Sequence, residues 1–438
     1  MPTNFLKRTS ALFVLLLVSA PAWSGPEIET WQTKNGASVL FVQATDLPMV
    51  DMRVVFDAGS ARDGTKPGLS QLTNAVLTDG AGNWDADQIA LRMDSVGAKF
   101  GSGSLRDMAW LSLRTITEES AYETSVSTLA EILKAPTFPV DALERNRKIM
   151  LANLQHEKQS PGAVAKKQFM QALFGSHPYA IHSGGSEESL KAITREDLIA
   201  HQQRYYVAKN ATISIVGDLD RKQAESLAER ISSGMQTGQA APALPQVADL
   251  KQAIDKSVQF PSSQSHILLG QPGMHRGDPD YYALYVGNHI FGGSGLVSLL
   301  GEEVREKRGL SYSVYSYFSP MRADGPFVMG AQTKNEQAGL AMDVMRKSLS
   351  DYIQRGPTDK ELKESKQNIT GGFPLTISSN GKIVEYISMI GFYKLPLDHL
   401  DTFVNKVNAV TKEQIKDAFK RRVHPDRFVT VVVGNGKF

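Results

Sequence analysis

The same order of sequence patterns occurs twice along this 438-residue chain, once in each half. Each half has alternating strand-like runs, helical patterns and a further strand pair, and each ends on an apolar run, at 210–219 and 427–435. A repeat of about 200 residues is far longer than a solenoid unit, so it predicts two duplicated domains rather than an array. Strands and helices that segregate in this way favour an α+β fold, with helices packed on antiparallel-rich sheets.

A segment rich in Gly, Ala, Pro and polar residues separates the two halves. It occupies residues 236–256 and lacks sustained strand alternation, which predicts an interdomain linker. The first domain is then expected at 25–235 and the second at 257–438.

The N-terminus has the features of an export signal. Two basic residues precede an apolar run at 11–18, and small residues follow it. This run is about half of the ~20 residues that a bilayer span needs, which favours a cleaved signal peptide at 1–24 over a membrane anchor. Cleavage is expected after Ala22 or Ser24. Since no lipid-anchoring cysteine follows, the signal indicates a bacterial periplasmic protein with no membrane span after cleavage.

Composition excludes several classes of function. The chain has no cysteine, which excludes disulfides, thiolate zinc sites, iron–sulfur clusters and cysteine nucleophiles. Lys and Arg number 48 against 46 Asp and Glu, so no basic excess points to nucleic acid. None of the nine histidines has the i, i+4 helical spacing around an acid that zinc sites use. The sequence also lacks a Gly-x-Ser-x-Gly elbow, a phosphate-binding loop and a dinucleotide fingerprint.

The order of motifs resembles the inverzincin metallopeptidases, the group of pitrilysin, insulin-degrading enzyme and mitochondrial processing peptidase. The resemblance rests on GLSQLTNAVLTDGAG at 68–82, on LFGSHPYA at 173–180, on the segment 185–219 and, most distinctively, on 288–316. It extends over essentially the whole mature chain. It implies two homologous domains, each an antiparallel-rich sheet covered by helices, forming a clam-shell.

The sequence departs from this family at the zinc motif. Catalytic members carry His-x-x-Glu-His on the first helix, and the matching positions here are Gln71, Asn74 and Ala75. The family's third ligand, a glutamate on a later helix, falls on Ala152 or Asn153. A catalytic zinc needs about three protein ligands, and Asn cannot take a proton from zinc-bound water at neutral pH. We therefore expect this chain to bind no metal or other cofactor, and the segment to be an amphipathic core helix.

The second half keeps two residues that the resemblance links to catalysis. Arg305 and Tyr312 match the family's arginine and tyrosine, which in active relatives stabilise the scissile carbonyl as it becomes an oxyanion. A guanidinium and a phenol suit this role because both donate hydrogen bonds. From the residues alone, Arg305 is also consistent with a solvated helix charge, and Tyr312 with an aromatic residue of an alternating strand.

A Gly-rich segment precedes the helix that carries Arg305. It comprises Gly292, Gly293, Ser294 and Gly295. We predict a flexible loop here that forms a wall of the substrate cavity. A plain structural turn explains the same residues about as well.

The retained pair and the missing zinc ligands together suggest one subunit of a two-chain zinc endopeptidase. In this hypothesis a homologous partner supplies the zinc site. This chain, inactive alone, supplies Arg305, Tyr312 and half of a cavity for peptides or unfolded proteins. The family resemblance offers precedents in processing peptidases and in bacterial heterodimers. One alternative is a catalytically inert peptide-binding or scaffold protein of the same fold, and another is an active zinc peptidase in its own right.

Overall fold

The computed structural model describes residues 26–435. The predicted signal peptide at 1–24 and both cleavage positions lie outside the described residues. Within the described range, no helix has both the length and the apolar character that crossing a membrane requires.

The first half is built around a six-stranded sheet. The strands of this half are β1 (Glu29–Gln32), β2 (Ser38–Gln43), β3 (Met49–Phe56), β4 (Gly80–Ala81), β5 (Trp84–Asp85), β6 (Lys99–Ser104), β7 (Ala109–Ile116) and β8 (Ala211–Gly217). The sheet order is β1-β2-β8-β3-β7-β6, with β2 and β8 parallel and the other neighbours antiparallel. Strands β4 and β5 form a separate ribbon.

The second half repeats this topology in a five-stranded sheet. Its strands are β9 (Ile254–Gln259), β10 (Gln264–Pro272), β11 (Ser311–Phe318), β12 (Pro326–Lys334) and β13 (Val429–Gly434). The order β9-β13-β10-β12-β11 corresponds to β2-β8-β3-β7-β6 of the first sheet, and β9 and β13 again form a parallel pair. Because β9 begins at Ile254, the second sheet includes the last residues of the predicted linker. The domain limits themselves stay a prediction.

Fourteen α-helices lie within the described residues. Those of the first half are α1 (Leu69–Val76), α2 (Ala86–Asp94), α3 (Glu119–Lys134), α4 (Val140–Lys158), α5 (Pro161–Phe174), α6 (Glu187–Ala192), α7 (Arg195–Tyr205) and α8 (Arg221–Ser233). Those of the second half are α9 (Tyr281–Asn288), α10 (Ala338–Arg355), α11 (Asp359–Thr376), α12 (Asn380–Tyr393), α13 (His399–Ala409) and α14 (Lys412–Arg422). The α+β prediction, with two homologous helix-covered sheets, is confirmed.

The two halves exchange one helix each. On its own side, the first sheet packs against α1, α2, α3 and α8. Its other face receives α12 from the second half, and there Gly391 lies so close that a Cβ would be 2.4 Å from the Leu40 side chain. The second sheet in turn receives α5 from the first half, whose Phe169 and Leu173 belong to the same buried apolar cluster as Val431 of β13. The halves of this chain are therefore in close contact through helices that cross between them.

A buried polar network also joins the halves. Its centre is Asp107, which is 3% exposed. Its carboxylate accepts hydrogen bonds from the hydroxyls of Tyr179 (2.6 Å) and Tyr393 (3.0 Å) and from the backbone N–H of Arg322 (2.8 Å). The Tyr179 hydroxyl accepts a further bond from the Ala323 N–H at 3.0 Å. Arg322 and Ala323 belong to the turn between β11 and β12, so the network connects that turn to the first half.

Acid is expected to destabilise the chain through His201 of α7. This side chain is buried, its Nε2 lies 3.4 Å from the Ala58 carbonyl oxygen, and burial lowers its pKa to about 4. Between pH 4 and 6.5 the unfolded state then binds more protons than the folded state, so stability falls as the pH falls. From pH 7.5 to 5.0, this one group should cost about 2 kcal/mol.

Urea unfolding at the two pH values tests this expectation. His201→Gln should reduce the loss of stability between pH 7.5 and 5.0, because Gln does not titrate. His156→Gln is the matched control, since His156 is exposed on α4. Buried Asp63 acts in the opposite direction. Burial raises its pKa to about 7, so its contribution to the free energy of unfolding rises as the pH falls. For each variant, the quantity to compare is therefore the difference between its free energies of unfolding at pH 7.5 and at pH 5.0. An unchanged pH dependence in His201→Gln would contradict the prediction.

Candidate functional site

Helix α1 carries the positions that correspond to the zinc motif. It begins after Gly68, whose φ of +93° lies in the left-handed region. The buried Asp63 carboxylate accepts hydrogen bonds from the backbone N–H groups of Gly68 (2.7 Å) and Ser70 (2.8 Å). These bonds satisfy two donors at the start of the helix, so the helix is firmly anchored even though the metal-binding residues are absent.

The side chains at these positions do not fit a zinc ion. Gln71 and Ala75 are half-buried, and neither offers an imidazole. Asn74 is buried, and its amide donates to the Tyr206 hydroxyl at 3.3 Å and to the Trp110 carbonyl oxygen at 3.4 Å. The residue that replaces the catalytic base is thus part of the core packing. These three side chains supply neither a metal ligand of the family's kind nor a general base.

The third-ligand position also lacks a suitable donor. Ala152 and Asn153 are exposed on α4. The nearby acid, Glu157, lies 3.1 Å from Nε2 of His182 and so has a partner of its own. With Ala152 or Asn153 at the third-ligand position and no imidazole at 71 or 75, these motif positions offer none of the ligands that a catalytic zinc needs.

One other group of three possible metal ligands occurs within residues 26–435, at His275, Asp278 and Asp324. The Asp278 carboxylate already accepts two hydrogen bonds from the Arg422 guanidinium, at 2.8 and 3.1 Å. His275 Nδ1 lies 2.9 Å from an Asp324 oxygen. This cluster is held together by its own ion pairs, and it lies in the second half, away from α1.

Arg305 and Tyr312 lie together at the surface of the second half. Arg305 is in a π-helical turn, Gly301–Glu306, and its guanidinium carbon is 4.7 Å from the centre of the Tyr312 ring. Tyr312 is 83% exposed, at the start of edge strand β11, where a β-bulge separates Ser311 from Ser313. Its hydroxyl has no hydrogen-bond partner among the described residues. The Tyr312 hydroxyl therefore points to a surface that another molecule can reach, while Nε of half-buried Arg305 also lies 3.5 Å from a Glu306 carboxylate oxygen.

The Gly-rich segment is not a simple loop. Gly292 and Gly293 belong to a π-helical turn, His289–Gly293, that continues α9. A Cβ on Gly292 would be 2.3 Å from the Ser316 hydroxyl, so the turn packs directly on β11. The helical turn ends at Gly293, and Gly295 adopts a left-handed backbone conformation with a φ of +65°. The prediction of a flexible loop was wrong for the first two glycines, because Gly292 packs closely on β11 and Gly293 on Asn288 of α9.

An aromatic cavity next to this turn was not foreseen. Gly293 lines a space of about 330 Å³ together with Tyr281, Tyr285 and Tyr317. The rings of Tyr281 and Tyr285 are stacked, with centres 5.8 Å apart, and burial raises the pKa of Tyr285 to about 12. The i, i+4 spacing of these two tyrosines on α9 is a signal in the sequence that would have placed them on one helix face. The role of Gly293 in substrate binding stays a prediction.

Family models match both halves of the chain. A model described as "Insulinase (Peptidase family M16)" matches residues 38–186, and one described as "Peptidase M16 inactive domain" matches residues 192–369. Among solved structures, a peptidase M16 inactive domain from Pseudomonas fluorescens is similar. It is 40% identical with a TM-score of 0.91, over 94% of this chain and 98% of that one.

Two bacterial relatives extend over nearly the full length. "Non-peptidase homolog YmxG" of Helicobacter pylori is 26% identical over 437 residues, 98% of each chain. "Uncharacterized zinc protease YmxG" of Bacillus subtilis is 23% identical over 415 residues, 93% of this chain and 99% of the relative. The chain therefore belongs to peptidase family M16 and is of that family's inactive type.

Proposed function

We propose that this chain is the non-zinc-binding subunit of a periplasmic two-chain zinc metalloendopeptidase. It supplies Arg305 and Tyr312 in trans to a homologous partner that carries the His-x-x-Glu-His site. The observation that carries this proposal is the pair itself. The guanidinium of half-buried Arg305 lies 4.7 Å from the ring centre of exposed Tyr312, whose hydroxyl has no hydrogen-bond partner within residues 26–435. Since α1 has no zinc ligands, such donors can act only on a site that another chain provides.

The chemistry assigned to the pair is electrostatic. Hydrolysis of a peptide places negative charge on the carbonyl oxygen, and donors already oriented towards that oxygen lower the barrier. Arg305 contributes a permanent positive charge and Tyr312 a single O–H donor on a rigid ring. Neither residue needs to exchange a proton, so both serve as stabilising donors.

The proposed substrate is an extended peptide or a partly unfolded protein. Strand β11, which begins at Ser311, is an edge strand of the second sheet, and an added strand would pair along this edge outside Ser316, whose carbonyl oxygen already accepts from the Asn288 amide at 3.1 Å. The cavity of about 330 Å³ beside Gly293 would accept apolar side chains of such a peptide. The Gly292–Gly295 segment then forms one wall of the substrate site.

An inert peptide-binding or scaffold protein is the second candidate. The observation that favours it is the name of the Helicobacter pylori relative, a "non-peptidase homolog" that is 26% identical over 98% of each chain. In that case Arg305 and Tyr312 would serve packing or binding alone, and the fold would be retained for its peptide-binding surface.

The deciding experiment compares the mature chain alone, a homologous zinc-motif protein from the same organism alone, and the two co-expressed. We expect elemental analysis to find no stoichiometric zinc in this chain, and peptide hydrolysis only in the co-purified complex. A readily measured, chelator-sensitive activity of this chain alone would contradict both candidates. A complex that forms but is no more active than the partner alone would favour the scaffold function.

A further inference from the structure

A small basic pocket lies beside helix α5, and its lining includes neither Arg305 nor Tyr312. It has a volume of about 170 Å³ and is lined by α5, the end of α4, the turn near His182 and Arg106 of the β6–β7 turn. We call it the α5 pocket. Its charged lining residues are Arg106, Lys166, Lys167, His182 and Glu157. Three permanent cations thus face one carboxylate.

The cations of the α5 pocket outnumber its acids, and the one lining carboxylate, Glu157, is already paired with His182 at 3.1 Å. Nε of Arg106 donates to the Tyr179 carbonyl oxygen at 3.1 Å, and its guanidinium contacts no acid within the described residues. Lys166 and Lys167 make no ion pair or hydrogen bond in that range. Arg106 is half-buried, and this burial lowers its pKa. Lys167 is also half-buried, and Lys166 is exposed. Three cations around a single, already paired carboxylate leave the pocket with a net positive charge, so an anion bound here would be stabilised.

An apolar cleft adjoins the α5 pocket. It has a volume of about 270 Å³ and shares Lys166 and Met170 with the pocket. Phe169, Tyr315 and Tyr317 line it, and the two tyrosine rings are stacked with centres 5.9 Å apart. The combined space therefore matches a small oxyanion attached to a large apolar or aromatic group. Inorganic phosphate would fill only the basic part.

We propose that the α5 pocket binds the free C-terminal carboxylate of a peptide whose last side chain, aromatic or large and apolar, enters the adjoining cleft. The planar fork of Arg106 suits a carboxylate, and the two lysines add charge. That the ligand is a peptide rests on the proposed function, but binding requires neither the partner nor hydrolysis. A substrate or product peptide would thus be held by its end in a pocket that the oxyanion pair does not line.

Binding of labelled peptides to the chain alone tests the proposal by fluorescence anisotropy. An N-acetylated peptide that ends in Phe with a free carboxylate should bind at least about tenfold more tightly than its C-terminal amide, the difference expected for a charge-assisted hydrogen bond. The same peptide ending in Gly should bind more weakly than the Phe peptide, because it leaves the cleft empty. Equal affinity of acid and amide would overturn the proposal.

Variants locate the site. Lys166→Gln/Lys167→Gln and, separately, Arg106→Gln should each weaken binding of the acid by about tenfold or more. The matched control, Lys148→Gln/Lys222→Gln, removes two exposed lysines elsewhere and should bind normally. If Arg106→Gln fails to fold, the lysine double variant alone decides. Unchanged binding by that variant, or competition by inorganic phosphate as strong as by the unlabelled peptide, would overturn the assignment. Because no hydrolysis is measured, failure here leaves the proposal for Arg305 and Tyr312 intact.

Discussion

Tyr312→Phe in the assembled two-chain enzyme is expected to lower kcat by about 10²–10³, with KM and assembly nearly unchanged. The substitution removes one hydroxyl and keeps the ring that lies against Arg305. Since Tyr312 is 83% exposed and its hydroxyl makes no hydrogen bond among the described residues, the folded chain loses no internal contact. The loss should therefore appear in the step in which the carbonyl oxygen gains charge.

Arg305→Lys should also lower the rate of peptide hydrolysis by the two-chain complex. Lysine keeps the positive charge but lacks the planar set of N–H donors of arginine. It therefore makes fewer well-oriented hydrogen bonds to the oxyanion. The matched controls are Arg308→Lys on the same segment and Tyr122→Phe on α3, which change the same groups elsewhere. Steady-state hydrolysis at equal complex concentration measures all four variants. Full activity of both Tyr312→Phe and Arg305→Lys, with normal partner binding, would show that the pair is structural.

Asp107→Ala is expected to lower the free energy of unfolding by about 3–5 kcal/mol. The substitution leaves the hydroxyls of Tyr179 and Tyr393 and the backbone N–H of Arg322 without their acceptor in a buried place. A buried donor that loses its partner keeps its desolvation cost, which explains why the effect exceeds that of one hydrogen bond. Because the network joins the halves, the contact between them should weaken too.

Urea unfolding of the purified chain measures this effect. Tyr393→Phe removes a single donor and should cost about 1 kcal/mol, so it sets the scale for one bond of the network. Asp94→Ala removes an exposed acid on α2 and should be close to wild type. If Asp107→Ala unfolds at the same urea concentration as Asp94→Ala, the network does not contribute to stability.

The sequence predicted strands well where the pattern of apolar residues matches the face that the folded chain buries. The alternation of β7 and the apolar runs that became β8 and β13 were sufficient to place strands in both halves. Prediction was poorer where the partner of a segment lies far along the chain. Strand β9 is half polar, with the sequence IDKSVQ, and pairing with β13 is what makes it a strand. Gly292 reads as a loop residue, yet contact with Ser316 holds it in a helical turn.

The sequence by itself determined which chemistry is missing. Gln71, Asn74 and Ala75 provide neither an imidazole nor a carboxylate, whatever the fold around them. It also determined which donors remain, because Arg305 and Tyr312 lie only seven positions apart and one helix–strand junction brings them together.

Only the tertiary structure decided how the halves meet and which distant charges converge. The Asp107–Tyr393 hydrogen bond joins residues 286 positions apart, and Arg106 reaches Lys166 and Lys167 across the first domain. Periodicity reports the face that a residue presents on its own helix or strand. It contains no information about which element closes onto that face. That choice depends on burial summed over the whole chain, which is why α5 and α12 cross between the halves and the α5 pocket forms.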